Sequence, residues 1–198
     1  MDELRKGLNL GLTGPAADEA LARFRRQTAA WGLVMPAVPP LVLDFGLGDF
    51  DRVGLIEYWI ANEVEAGYCG KFLFVFAGQT CPLHQHREKM ETFYVVRGEV
   101  TMTCADETRR MRAGDVLAVP PGRRHTFTGV GPALLLELST PCVVADNRFD
   151  DQRIQRTIDA LADGGVGAAD PAVTSRPADS PRSESAPSPL PATRRGRP

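Results

Sequence analysis

Six short segments between residues 55 and 139 restrict the fold of this chain more than any other feature. Each is rich in β-branched and aromatic residues, and clusters of Gly, Pro, Asp or charged residues separate one from the next. The segments are Leu55–Glu63, Lys71–Ala77, Glu91–Ala105, Val116–Pro120, His125–Val130 and Ala133–Ser139. Many short strands at close spacing predict an all-β sandwich or barrel.

The segments on either side of this region have other textures. Apolar residues recur at three- and four-residue steps in Pro15–Pro36 and again in Phe149–Asp163, which predicts a helix before the barrel and a short helix after it. The last part of the chain is rich in Pro, Ser, Ala and Arg and has no aromatic residue. Such a composition cannot bury enough apolar surface to offset its chain entropy, so we expect disorder. The predicted organisation is a helical segment at 1–36, a β domain at 37–163 and a disordered tail at 164–198.

Composition excludes several classes of function. The 198 residues have a formal net charge of −2 and a pI near 5.9, which does not favour a nucleic acid or an anionic membrane as a partner. There is no long apolar run typical of a transmembrane helix, and the first twenty residues lack the apolar region of a signal peptide. We therefore expect a cytoplasmic protein. The four cysteines form no CxxC pair, and we interpret them as free thiols.

The chain has only three histidines, and two of them are two positions apart. On a strand, His84 and His86 would present both imidazoles on the same side. Glu91 opens the next apolar segment, where it shares a face with Phe93 and Val95. If that face is the interior, Glu91 is a buried carboxylate, which is costly unless it is paired. A bound metal ion would offset that cost.

The third histidine completes a ligand set. His125 follows a stiff turn with two prolines and a glycine, which delivers it at the start of a strand. Three neutral imidazoles and one carboxylate suit Mn, Fe, Co, Ni or Zn. Four protein ligands leave one or two coordination positions for water or substrate, as in a catalytic site. The predicted metal ligands are His84, His86, Glu91 and His125.

The spacing of these residues resembles the two sequence motifs of the cupin superfamily. The first, G(X)5HXH(X)4E(X)6G, is matched from Gly78 to Gly98. The second, G(X)5PXG(X)2H(X)3N, is matched from Gly114 to His125, with Gly129 in place of the final Asn. The resemblance covers residues 41–140 and implies a small, jelly-roll-like antiparallel β-barrel with the metal in its mouth. Because cupins have many activities, this fold does not decide function.

A narrower resemblance is to the D-lyxose isomerase family of cupins. It is carried by DFGLGDFDRVGL, YCGKFLFVFAGQTCPLHQH, ETF, PPGRRHTF and ELS…DNRF. The resemblance implies an aldose–ketose isomerase for D-lyxose/D-xylulose or D-mannose/D-fructose, with Mn(II) as the usual metal and a homodimer as the usual assembly. It also implies substrate contacts by Asp146, Asn147 and Phe149 and a pocket position for Lys71.

An aldose–ketose interconversion moves a proton between C1 and C2, so it needs an electrophile and a base. A metal that chelates both oxygens would stabilise the enediolate. Glu137, the one acid in the apolar segment ALLLELST, is the predicted base, since burial would raise its pKa toward a useful value. Lys71, at the start of another apolar segment, is the second catalytic candidate and would steady the oxyanion. Exposure at a strand edge or end is the alternative for both residues.

Two more charged residues share strand faces with apolar neighbours. Glu57 would bind sugar hydroxyls, and Arg97, on the face of Glu91, would orient that ligand. A cross-strand ion pair on the barrel rim is the alternative for both.

Two other functions stay open. An iron-dependent cupin dioxygenase can share the same ligand set, and a non-enzymatic cupin could bind a sugar or a metal. A polar, hydroxyl-binding pocket would favour the isomerase, whereas an apolar pocket would favour the oxygenase.

Overall fold

The structure, a computed structural model, describes residues 3–8 and 10–163. This part of the chain forms three helices, α1 (Glu3–Leu8), α2 (Pro15–Ala30) and α3 (Gln152–Ala162). It also forms eleven strands: β1 (Pro40–Leu43), β2 (Leu55–Glu63), β3 (Tyr68–Val75), β4 (Thr80–His86), β5 (Glu91–Arg97), β6 (Glu99–Cys104), β7 (Glu107–Arg112), β8 (Val116–Val119), β9 (His125–Gly129), β10 (Ala133–Ser139) and β11 (Asn147–Phe149). The predicted tail, 164–198, lies outside the described residues. No helix among the described residues is long and apolar enough to cross a membrane.

The strands form two antiparallel sheets. One has the order β1-β2-β3-β10-β5-β8 and the other the order β11-β4-β9-β6-β7. The inner faces of the two sheets bury one apolar core, which includes Leu73, Phe93, Met102 and Phe127. The prediction of an all-β cupin barrel is therefore confirmed.

Helix α2, the helix predicted before the barrel, packs on the outer face of the larger sheet. Its buried face carries Ala17, Ala20 and Phe24. The Phe24 ring lies 5.3 Å from the ring of Tyr58 and 4.9 Å from that of Phe74, in a stacked and an edge-on arrangement. This cluster makes one side of the larger sheet a second apolar core.

The structure divides the long predicted strand 91–105 into β5 and β6 at Gly98. This residue has φ +81°, and a side chain there would place its Cβ 2.1 Å from the carbonyl oxygen of Pro132. The division matters for the site because it ends β5, the strand that Glu91 begins. Four strands, β1, β4, β7 and β11, lie outside the six predicted segments, although the metal-site argument assumed a strand at His84 and His86. The exposed β7 has the sequence ETRRMR, which lacks an apolar alternation.

Candidate active site

The three histidines meet on the inner face of the smaller sheet. His84 and His86 alternate inward along β4, and His125 begins the neighbouring strand β9, directly opposite His84 in the strand register. The rings of His84 and His125 are 4.2 Å apart, and one nitrogen from each histidine lies within 4.8 Å of the other two. All three side chains are buried. Strand pairing thus brings His125 next to two histidines that lie 39 and 41 positions earlier in the chain.

Glu91 faces this cluster from the larger sheet, where it begins β5. Its Oε1 lies 3.1 Å from Nε2 of His86, and its Oε2 lies 3.1 Å from Nε2 of His125. The structure therefore brings all four predicted metal ligands together.

The four side chains fit a divalent cation. Nε2 of His86, Nε2 of His125 and Oε2 of Glu91 are buried, yet none of them makes a hydrogen bond. Buried polar atoms without partners are costly, and a cation would satisfy all three. His84 and His125 each place Nδ1 against a backbone carbonyl, Pro82 at 2.8 Å and Arg123 at 3.0 Å, which leaves Nε2 of each ring for a metal.

The electrostatics favour the metal-binding protonation states. Burial, together with His125 and His86, holds the pKa of His84 well below its ordinary value, and burial also lowers the pKa of His86. Burial alone would raise the pKa of Glu91, but Lys89 and the two neighbouring imidazoles outweigh it and hold that pKa well below the ordinary range. Neutral imidazoles beside an ionised carboxylate are the forms that bind metal.

A second group of charged side chains lies beside the ligands. Glu137 is 2% exposed, and its Oε2 lies 3.2 Å from Nζ of Lys71. Its Oε1 accepts hydrogen bonds from Nζ of Lys89 at 2.5 Å and from the hydroxyl of Ser139 at 3.0 Å. Nζ of Lys89 also donates to Oε1 of Glu91 at 2.9 Å. One ammonium group therefore bridges a predicted metal ligand and the predicted base.

The predicted direction of the Glu137 pKa shift is wrong. Burial does raise the pKa, but the ammonium groups of Lys71 and Lys89 outweigh it, so the pKa lies below the ordinary value of a glutamate. Glu137 is therefore ionised near neutral pH and can accept a proton.

Glu57 and Lys71 also lie in the cavity. Oε2 of Glu57 accepts a hydrogen bond from Nε1 of Trp59 at 2.6 Å, and Nζ of Lys71 lies 3.5 Å from Oε1 of Glu57. Lys71 sits 5.1 Å from the centre of the Trp59 ring. The alternative of an exposed strand end does not hold for Lys71, which is 5% exposed.

The structure does not bring Arg97 to the site. Arg97 shares the face parity of Glu91, but it lies at the other end of β5, about 20 Å away at the usual rise of a strand, and it is exposed. Asp146 is buried, but its carboxylate binds backbone amides of residues 87–89 and does not line the cavity. Asn147 lines the cavity while its amide donates to two backbone carbonyls, and Phe149 stacks on His84 at 5.1 Å.

The cavity encloses about 90 Å³ and has two kinds of wall. One wall is the charged group just described. The other is apolar and comes from β1, β2, β11, α3 and the segments before β1 and β2; it includes Leu10, Leu43, Phe45, Phe149 and Ile158. Phe45 has φ +56°, unusual for a residue with a side chain, and its ring lies 5.5 Å from that of Phe149. The site is thus polar at the predicted ligands and apolar on the opposite wall.

Lys89 was not among the predicted site residues, although it is one of the most buried charged residues of the site, 3% exposed. It lies in the run Arg87-Glu88-Lys89, a charge pattern typical of a solvent-exposed turn. The one sequence signal for its burial is its spacing to Glu91. Residues two positions apart on an extended chain face the same side, so Lys89 could share the inward face of Glu91.

Comparisons with known proteins agree with the fold. A family model described as Cupin domain matches residues 73–139. The L-ribose isomerases of Acinetobacter sp. DL28 and Cellulomonas parahominis superpose with TM-scores of 0.60 and 0.61, at 16% and 18% sequence identity. The superpositions cover 75% and 76% of this chain and 96% and 97% of those proteins. At such identities the likeness concerns the fold alone.

Sequence relatives are more specific. A family model described as D-lyxose isomerase matches residues 41–104. The D-lyxose/D-mannose isomerase of Thermosediminibacter oceani is 29% identical over 143 residues, and the D-lyxose ketol-isomerase of Thermofilum sp. is 30% identical over 144 residues. Each match covers 58% of this chain and 78% of the relative.

Two facing antiparallel sheets with an inward cluster of three histidines and a glutamate define a cupin. Within the cupins, the chain belongs to the D-lyxose isomerase family.

Proposed function

We propose that the chain is a metal-dependent aldose–ketose isomerase that acts on D-lyxose, and on D-mannose as a second substrate. The observation that carries this proposal is the position of Glu137, a buried and ionised carboxylate beside four converging metal-ligand side chains. Membership of the D-lyxose isomerase family supports the same reaction, and two relatives carry the names D-lyxose/D-mannose isomerase and D-lyxose ketol-isomerase.

His84, His86, Glu91 and His125 would hold the metal. A divalent ion bound there would act as a Lewis acid toward a carbonyl oxygen and a neighbouring hydroxyl of the sugar. This donor set accepts several first-row metals, and manganese is our expected ion.

Glu137 would move the proton. Its carboxylate would accept a proton from C2, next to the carbonyl carbon, and return it to C1, while the hydroxyl hydrogen on the C2 oxygen passes to the C1 oxygen. Together these transfers convert the aldose to the ketose through an enediol. The ammonium groups of Lys71 and Lys89 offset the effect of burial on the pKa of Glu137, so the carboxylate stays in the ionised form that can accept this proton. Because the carboxylate is 2% exposed, bulk water does not compete for the proton.

Lys71 and Glu57 would bind the sugar. The Lys71 ammonium donates to an oxygen that gains negative charge as the proton leaves, a type of stabilisation that is large in a dry site. Glu57, oriented by Trp59, accepts from a sugar hydroxyl. The Trp59 ring offers an apolar surface for the C–H side of a sugar. Asn147 and Phe149 are the remaining predicted contacts that line the cavity.

A homodimer and a cytoplasmic location stay predictions for this chain.

One observation favours a different function. The apolar wall, with Leu43, Phe45 and Phe149, is what we expected of a dioxygenase pocket. Buried Lys71, Lys89 and Glu137 favour the isomerase, since a cluster of ionisable groups with shifted pKa values in a cavity is typical of a proton-transfer site.

The test is to strip the protein with a chelator and reload it separately with Mn(II), Co(II), Zn(II) and Fe(II). Each form is then incubated with D-lyxose, D-mannose or L-ribose, once without and once with oxygen, and ketose formation and oxygen consumption are measured. We expect D-xylulose from D-lyxose with at least one metal. An activity that requires both Fe(II) and oxygen, with no ketose formed, would contradict the proposal and support the oxygenase.

A further inference from the structure

Every backbone amide in the turn from Arg87 to Met90 is bound by the segment that follows β10. Oδ1 of Asp146 accepts from the amides of Arg87 and Glu88, at 3.0 and 3.1 Å, and Oδ2 accepts from the amide of Lys89 at 3.0 Å. The hydroxyl of Thr140 accepts from the amide of Met90 at 3.0 Å. The turn therefore has its hydrogen bonds to a distant segment instead of within itself.

This turn joins the strands that carry the proposed metal ligands. It follows β4, with His84 and His86, and precedes Glu91. Although the side chains of Arg87 and Met90 are exposed, Lys89 points inward and is 3% exposed. Lysine has a long flexible side chain, so its ammonium can bridge two carboxylates only if its backbone is fixed.

The segment that binds the turn also continues the strand that carries Glu137. Asp146 is 6% exposed and ends a short 3-10 turn after β10. The carboxylate that fixes the backbone of Lys89 and the carboxylate that receives its ammonium thus belong to one stretch of chain. This arrangement ties the backbone of Lys89 to the chain segment that follows the base.

We propose that Asp146 is a positioning residue: by binding the amides of residues 87–89 it holds the Lys89 ammonium between Glu91 and Glu137. The inference rests on the proposed isomerase activity and replaces the substrate-binding role that the sequence suggested for Asp146. Asp146 acts through Lys89, without touching the sugar.

Asp146→Asn tests the proposal with little change in shape. The amide oxygen of the new side chain can still accept from Arg87 and Glu88, but its NH2 group meets the amide of Lys89, so donor faces donor. We expect kcat to fall about tenfold, because small displacements of a positioned group are costly, with little change in KM. Asp115→Asn is the control: Asp115 accepts from the amide of Arg112 in an exposed turn, and we expect unchanged kcat.

A double-mutant cycle separates this role from a general structural one. If Asp146 acts through Lys89, Asp146→Asn has no further effect on kcat in a Lys89→Met background. Oδ2 of Asp146 also lies 3.9 Å from Nδ1 of His86. An effect through that ligand, or through overall folding, would persist in the Lys89→Met background and would overturn the proposal.

Hydrogen exchange tests the proposal without measuring catalysis, and it can be used even if the Lys89→Met variant does not fold. In the metal-free protein, hydrogen exchange of the Lys89 amide should be about tenfold faster in Asp146→Asn than in the wild type, and unchanged in Asp115→Asn. Unchanged exchange, or full kcat in Asp146→Asn, would overturn the positioning role. A wild-type protein that isomerises no aldose would instead refute the proposed function. The hydrogen-exchange result would still test whether Asp146 fixes the turn.

Discussion

Lys89→Met should destabilise the metal-free protein far more than the loss of an ordinary ion pair. Lys89 and both of its partners, Glu91 and Glu137, have side chains that are 2% exposed. With neutral imidazoles, the cavity holds the three carboxylates of these two residues and Glu57 against the two ammonium groups of Lys71 and Lys89, a net charge of −1. Methionine preserves the length of the side chain but leaves a net charge of −2.

The magnitude follows from the burial. Removing one partner of a buried ion pair costs about 3–5 kcal/mol, because the remaining charge is left without compensation. Arg110→Met is the matched control, since Arg110 pairs with Glu99 at 3.0 Å with a side chain that is 65% exposed. For such a pair we expect a loss of about 0–1 kcal/mol.

The free energy of unfolding can be measured by urea titration with tryptophan fluorescence, with the slopes compared among variants. Adding Glu137→Gln to Lys89→Met should recover part of the loss, because it removes one of the unpaired charges. If Lys89→Met loses no more than the Arg110 control, the carboxylates are solvated, and the electrostatic account of the site is wrong.

Three further predictions concern the metal and the fold. His84→Ala should abolish the stabilisation by Mn(II), as measured by thermal melting before and after chelation. In the wild type this stabilisation is about 2.7 kcal/mol when the Mn(II) concentration is a hundred times the dissociation constant. If Mn(II) raises the melting temperature of His84→Ala as much as that of the wild type, His84 is not a metal ligand. Gly98→Ala should lower the free energy of unfolding by about 1–3 kcal/mol more than Gly114→Ala does. Both glycines have positive φ, but only at Gly98 would a Cβ lie against a backbone oxygen. Equal losses for the two variants in urea unfolding would contradict this. Phe24→Ala should cost about 3–5 kcal/mol of stability yet leave kcat unchanged below its melting temperature, and a fall in kcat there would mean that α2 affects the site.

The metal ligands were predictable because their information is local. Alternation along β4 places His84 and His86 on one face, and the burial cost of Glu91 follows from its apolar neighbours in β5. The barrel followed from the short strands in the same way. The alternation of side chains along β5 also put Arg97 on the same face as Glu91. Alternation does not show how far along the strand a residue lies from the site, and Arg97 lies at the exposed end.

The rest of the site depends on contacts between distant segments. Lys89 is buried because Asp146, 57 residues away, holds the turn that carries it. The pKa of Glu137 is lowered because Lys71 on β3 and Lys89 both reach β10, and neither contact is visible in the apolar segment around Glu137. Local patterns therefore predict which residues are buried, but not which charges they meet.

The central claim is that Glu137 transfers the proton and does not hold the metal. It is tested most directly by measuring, in metal-loaded wild type and Glu137→Gln, the bound metal per chain and the anaerobic conversion of D-lyxose to D-xylulose. We predict equal metal content and a turnover lowered by about 10²–10⁴-fold in the variant. Full turnover in Glu137→Gln, or loss of its metal, would contradict the assignment.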